Sequence, residues 1–185
     1  MDVAHHPRRA ARGMSLIELL TGVAVLGVSL TMVAPAWRDF TDRNRIVTAA
    51  NSVLTNLHLA RSTAVSRNRR VGLCPSTDGI GCSGDAFGWQ DGYIVFVDLD
   101  GDRSRDEDEP LLRRQDAQPH GLLLHTSAGR PVLSFRPDGS AWGTNASFRV
   151  CLGDTRSAYR AVVLYGSGRA RIDRRLPDGR KVACD

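Results

Sequence analysis

Read from its N-terminus, the chain changes hydrophobic texture three times. Residues 1–13 are polar and carry Arg8, Arg9 and Arg12, and the run from Met14 to Trp37 that follows contains one charged residue, Glu18. About twenty apolar residues rising about 1.5 Å each cover the hydrocarbon core of a bilayer. The arginines ahead of the run place the N-terminus on the cytoplasmic side and the remainder outside, by the positive-inside rule. Beyond Trp37 a second texture begins, in which Val47, Ala50, Leu54, Leu57, Ala60 and Ala64 recur every three or four residues. That spacing predicts a half-buried helix continuing to about Arg67. Pro35 lacks an amide donor and clashes with the preceding turn, so a bend is expected near it.

From Val71 the texture changes again, to short β-type runs separated by Gly, Pro and Asp: 93–97, 122–125, 132–135, 148–152, 159–165 and 169–172. Their connections are too short for parallel crossovers, so an antiparallel sheet packed against the helix is expected. The fold class is therefore α+β. Four segments follow: 1–13 as a leader, 14–37 as the membrane half of the helix, 38–70 as its amphipathic half, and 71–185 as a β-rich domain outside the membrane.

Composition sharpens two points. The net charge is +5, and every basic residue except Lys181 is arginine, a side chain suited to bidentate phosphate or carboxylate recognition. Cys74, Cys82, Cys151 and Cys184 allow three disulfide pairings. They lack the C-x-x-C and histidine spacing of a zinc site. The local choice joins Cys74 to Cys82 and Cys151 to Cys184, which suits an oxidising compartment such as the periplasm. Free buried thiols are the alternative.

Two readings of the N-terminus compete. Ala34-Pro35-Ala36 has the small-x-small form of a secretory cleavage site. Glu18 speaks against a disposable signal, because a carboxylate at the head of an apolar run is costly without a partner. Gly13-Met14-Ser15-Leu16-Ile17-Glu18 resembles the processing site of type IV pilins and pseudopilins. The resemblance implies that a prepilin peptidase cuts after Gly13 and methylates the new N-terminus at Met14, where the family usually has phenylalanine. It also implies that Glu18 meets the N-terminal amine of a neighbouring subunit during assembly. Further along, Leu57-His58-Leu59-Ala60-Arg61-Ser62, Leu73-Cys74-Pro75-Ser76 and the stretch from Gly88 to Phe96 resemble the FimT/GspH minor pilins and pseudopilins. That family implies a subunit anchored in the inner membrane, then assembled with other pilin subunits into a pilus or pseudopilus.

Three candidate sites remain. Between Arg149 and Lys181 nine basic residues face Asp154, Asp173 and Asp178 alone. Within Gly168-Arg169-Ala170-Arg171, residues two apart share a strand face, so Arg169 and Arg171 project side by side about 7 Å apart. Two guanidinium forks at that spacing suit adjacent phosphates, with Arg160, Arg174 and Arg175 widening the patch. FimT-type members linked to DNA uptake carry a Gly-Arg-x-Arg motif here, so the resemblance implies a DNA contact; a solvated hairpin face is the plainer reading. The second candidate is the stretch from Asp98 to Glu109, where Asp98, Asp100, Asp102, Ser104, Asp106 and Glu109 occupy positions 1, 3, 5, 7, 9 and 12 of a calcium loop. The loop's glycine is displaced, at Gly101 instead of position 103, and a strand precedes it. A plain acidic turn, solvated or paired with Arg113 and Arg114, competes with calcium. Catalysis is the third, and His58, His120 and His125 show no spacing to a nucleophile or second ligand, so no enzyme is expected. The functional alternatives are a DNA-binding minor pilin and a structural minor pseudopilin of type II secretion.

Overall fold

The computed structural model describes residues 14–126, 130–153 and 155–182, with residues 32–35 and 155–158 described by their backbone alone. The chain divides into two compact units after Phe40. Helix α1 (Leu16–Arg67) supplies the first and enters the second. The bend expected at Pro35 falls on the backbone-only residues. In the first unit the apolar window has a mean hydropathy of 2.1 and none of it is buried. Its hydroxyls turn inward on their own helix: Thr21 donates to the Glu18 carbonyl, Ser29 to Val25 and Thr31 to Val28. Polar side chains satisfied in this way need no water, which is what a bilayer demands.

In the second unit α1 buries Ile46, Ala49, Ala50, Val53, Leu57, Ala60 and Ala64. Ala50, Leu57, Ala60 and Ala64 are buried as expected and Leu54 packs against the core, but Ile46 takes the inward place expected of Val47, which is 38% exposed. The helix ends in a Schellman motif, with Asn68 at φ +50°. The Arg69 amide donates to the Ala64 carbonyl and the Asn68 amide to Val65, which satisfies carbonyls the last turn would leave orphaned.

Among the described residues eight strands follow: β1 (Arg70–Pro75), β2 (Tyr93–Asp98), β3 (Leu111–Gln115), β4 (Leu122–His125), β5 (Leu133–Phe135), β6 (Ala146–Leu152), β7 (Thr155–Leu164) and β8 (Ala170–Asp173). They form two sheets, ordered β3-β2-β1-β5 and β4-β6-β7-β8, and every pairing is antiparallel. One core joins the helix stripe to Trp89, Tyr93, Leu133, Phe135 and Phe148. Trp89 meets Phe148 edge-on at 4.9 Å, an arrangement favoured by the ring quadrupoles.

Each sheet also has a covered outer face. Ile94 and Phe96 of β2 pack with Cys74, Cys82 and Val132, so the loop closed by the Cys74–Cys82 disulfide (Cα–Cα 5.5 Å) roofs β1 and β2. On the second sheet Cys151, Ala161 and Val163 pack with Leu176 and Val182 of the C-terminal hairpin. Cys151 is disulfide-bonded. Cys184, its expected partner, lies outside the described residues.

Candidate functional site

The turn between β7 and β8 is held from three sides. Within it, the Gly168 amide donates to the Tyr165 carbonyl and the Tyr165 amide to Arg169. From below, Gly168 sits at φ +74°, so close to the neighbouring loop that a Cβ there would stand 1.8 Å from the Gly139 carbonyl oxygen. From the side, Arg61 of α1 donates through Nε to Gly139 O at 3.1 Å and through a terminal nitrogen to Ser167 O at 3.4 Å. The glycine of the Gly-Arg-x-Arg motif is thus required by contact as well as by backbone conformation.

Strand β8 turns Ala170 and Ile172 toward the core, which leaves Arg169 and Arg171 exposed on the opposite side. Their environments differ. Arg171 lies over the Tyr165 ring at 5.5 Å and pairs with Asp173 at 3.3 Å. Arg169 enters no ion pair among the described residues. The amides of Arg174 and Arg175 hold the Asp173 carboxyl below its ordinary value, with the charges of Arg171 and Arg175 adding to the effect. Arg174 is exposed beyond the strand end, and Arg175 donates to the Gly179 carbonyl at 3.1 Å, closing the C-terminal hairpin.

Arg160 lies elsewhere. It stands opposite Val150, whereas Arg171 stands opposite Val163. Val150 and Val162 face the main core, and Ala161 and Val163 face the outer cluster. Strand alternation therefore puts Arg160 on the other side of the sheet from Arg169 and Arg171, and its guanidinium donates to the Tyr159 carbonyl.

The acidic stretch begins where β2 ends. Asp98 is 1% exposed, and one oxygen each of Asp98, Asp100 and Asp102 lies within 4.8 Å of the others. Asp98 Oδ1 accepts from the Gly101 amide at 2.7 Å, Asp100 Oδ1 from Asp102 and Asp102 Oδ1 from Ser104. Burial pushes the Asp98 carboxyl above its ordinary value; Asp100 and Asp102 push it the same way, while the Gly101 amide and Arg70 oppose. Asp106 is exposed outside this cluster. Glu109 is buried and spends Oε1 on the Leu99 amide (2.5 Å) and Oε2 on the Asp106 amide (3.2 Å). Three of the five expected carboxylates therefore meet, and Glu109 closes the loop. Arg114 pairs with Asp116 and not with these acids.

At the N-terminus, Gly13 lies outside the described residues, Met14 is 72% exposed and Glu18 sits in the first turn of α1. His58 and His120 are exposed; His125 is buried beside the Phe87 ring. The two contacts the sequence reading missed are Arg61 and Gly139. Arg61 was visible only as part of a family-like stretch.

A family model, that of type II transport protein GspH, matches residues 49–168. The chain belongs to the GspH family. Its match runs from the buried stripe of α1 to the glycine of the β7–β8 turn. A pilin-like protein of Thermus thermophilus, PilA1, is 31% identical over 168 residues, covering 88% of this chain and 98% of its own. Among solved structures, the type IV minor pilin FimU of Pseudomonas aeruginosa superposes with a TM-score of 0.58 at 24% identity, covering 72% of this chain and 92% of FimU. The minor pseudopilin EpsH of the Vibrio cholerae type 2 secretion system superposes at 0.50 and 15% identity, covering 70% and 96%. This GspH-family chain is a minor pilin or pseudopilin subunit, of a kind that is structural and assembles with other pilins. The one helix among the described residues that is long and apolar enough to cross a membrane is compatible with membrane anchoring.

Proposed function

We propose that this GspH-family subunit is a minor pilin that binds DNA without sequence preference through Arg169 and Arg171 during DNA uptake. In this reading prepilin peptidase cuts after Gly13, Met14 becomes the N-terminus and Glu18 meets a neighbouring subunit's amine. The apolar helix then crosses the inner membrane with its N-terminus inside. One observation carries the DNA assignment: a turn fixed by Gly168 and Arg61 presents exposed Arg169 at its end and exposed Arg171 in β8, with Arg174 beyond them. Phosphate contacts dominate such binding and make it strongly salt-dependent. Arg160, across the sheet, takes no part.

The test compares the full chain in detergent micelles with Arg169→Glu/Arg171→Glu, using a filter-retention assay on duplex DNA across a salt series. Each lost phosphate contact lowers the log–log salt slope by about 0.9, so the double variant should lose retention at moderate salt and about two units of slope. Arg103→Glu/Arg113→Glu, the same charge change on exposed side chains away from the turn, should retain DNA. Asp173→Asn frees Arg171 from its ion pair and should tighten binding. Equal retention by the wild type and the Arg169/Arg171 variant, or equal loss in both double variants, would leave a structural subunit of the pilus or secretion pseudopilus as the reading.

A further inference from the structure

The acidic turn holds a feature that the assembly role leaves unused. Asp98 Oδ2 is buried and has no hydrogen-bond partner, although its residue is 1% exposed. A buried carboxylate oxygen without a partner is destabilising. Asp98 belongs to the same cluster as Asp100 and Asp102, which are exposed. Among the described residues no arginine comes within ion-pair distance of any of the three. Asp98, Asp100 and Gly101 line a recess of about 180 Å³ against Asn68 and Arg69 of the α1–β1 turn and Arg70 at the start of β1.

We propose that the Asp98–Asp102 turn is a calcium site in which Asp98, Asp100 and Asp102 supply the protein carboxylates. Two oxygens each about 2.4 Å from one calcium ion lie at most about 4.8 Å apart, and that span bounds the three oxygens here. Each aspartate has its Oδ1 fixed by a backbone amide, so the loop orients all three side chains without using their second oxygens. The displaced glycine is no obstacle. Arg103, at the sixth position, itself adopts φ +72°, the left-handed conformation a calcium loop needs there. Glu109 would supply the bidentate twelfth ligand of a complete loop, but both its oxygens already serve backbone amides. The site is therefore open, with water completing the shell, and its affinity belongs with extracellular modules at about 10⁻⁴–10⁻³ M.

Arg70 is the rival cation, since a Cβ on Gly101 would stand 3.6 Å from its Nε. The experiment separates the two. The full chain in detergent is stripped with EDTA and titrated with calcium chloride by calorimetry, and its melting temperature is read with and without calcium. One ion per chain should bind at about 10⁻⁴–10⁻³ M and raise the melting temperature, with magnesium raising it far less because that ion keeps its waters. Asp100→Asn/Asp102→Asn keeps both amide-accepting oxygens on exposed side chains and should weaken binding at least tenfold. Circular dichroism before titration confirms that the variant is folded. No heat and no rise in the wild type up to about ten times the upper constant, or equal binding in the double variant, would overturn the proposal and leave Arg70 as the counter-charge.

Discussion

Gly168→Ala should destabilise the protein far more than the same change at Gly179, although both glycines hold a positive φ, +74° and +81°. An L-residue in that conformation costs about 1 kcal/mol. At Gly179 nothing lies within 4 Å of the added Cβ, so conformational strain is the whole effect. At Gly168 the Cβ would stand 1.8 Å from the Gly139 carbonyl oxygen, whereas even close C···O contacts lie at about 3.3 Å. The loop must retreat, and the same oxygen accepts from Arg61 Nε at 3.1 Å. A hydrogen bond from a charged donor contributes about 1.5–3 kcal/mol, so the total is about 3 kcal/mol. For a chain of this size 1 kcal/mol moves the melting temperature by about 2–4 °C, giving a drop of about 6–12 °C for Gly168→Ala and about 2–4 °C for Gly179→Ala. Far-ultraviolet circular dichroism of the full chain in micelles measures both. Arg61→Met removes the same hydrogen bond, so the double variant Arg61→Met/Gly168→Ala should lose less than the sum of the single losses. Melting of Gly168→Ala within a degree or so of Gly179→Ala, or full additivity with Arg61→Met, would refute the three-sided clamp on the turn.

Two further expectations concern the domain itself. Cys74 and Cys82 are eight residues apart, and closing so short a loop stabilises by about 2.5 kcal/mol in the chain-entropy account; Cys74→Ala/Cys82→Ser should therefore melt about 5–10 °C lower, read against the oxidised wild type. Burial, reinforced by the charge of Arg149, holds the His125 imidazole below its ordinary value of 6.5. The unfolded chain then takes up a proton that the folded chain resists, so this contribution is complete above about pH 6.5 and is lost as pH falls toward the folded value. His125→Gln should flatten the acid side of a melting-temperature profile below about pH 6.5, and an unchanged slope would show that His125 does not set it.

What was legible in the sequence depended on whether its cause lay within one element. The apolar run from Met14 to Trp37, the helix end near Arg67 and six of the strands follow local periodicity. Strands β1 and β3 escaped for opposite reasons. β1 is buried on nearly every residue between two neighbours and so shows no alternation, while β3 is a sheet edge of Leu-Leu-Arg-Arg-Gln with no buried residue. The division into two sheets was invisible, because it is set by which strands pair and not by their composition. The helix stripe was legible except at its start, where Val47 was expected inside in place of Ile46, since the two are equally apolar and only the packing distinguishes them.

The same rule governs the candidate sites. That Arg169 and Arg171 share a face is an expectation from period two within a single strand; in the structure both are exposed, Arg169 just ahead of β8 and Arg171 within it. Whether Arg160 joins them depends on the register Arg160↔Val150 against Val163↔Arg171, a relation among three strands that composition cannot carry. The calcium question turns on the same distinction. Counting positions from Asp98 treated Glu109 as a ligand and Arg103 as a fault, because both judgements came from a linear template. In three dimensions Glu109 is committed to the amides of Leu99 and Asp106, and Arg103 takes the conformation required of it. What favours an ion is the oxygen of Asp98 that the fold buries and leaves unanswered, and its burial is set by the end of β2 and the α1–β1 turn together.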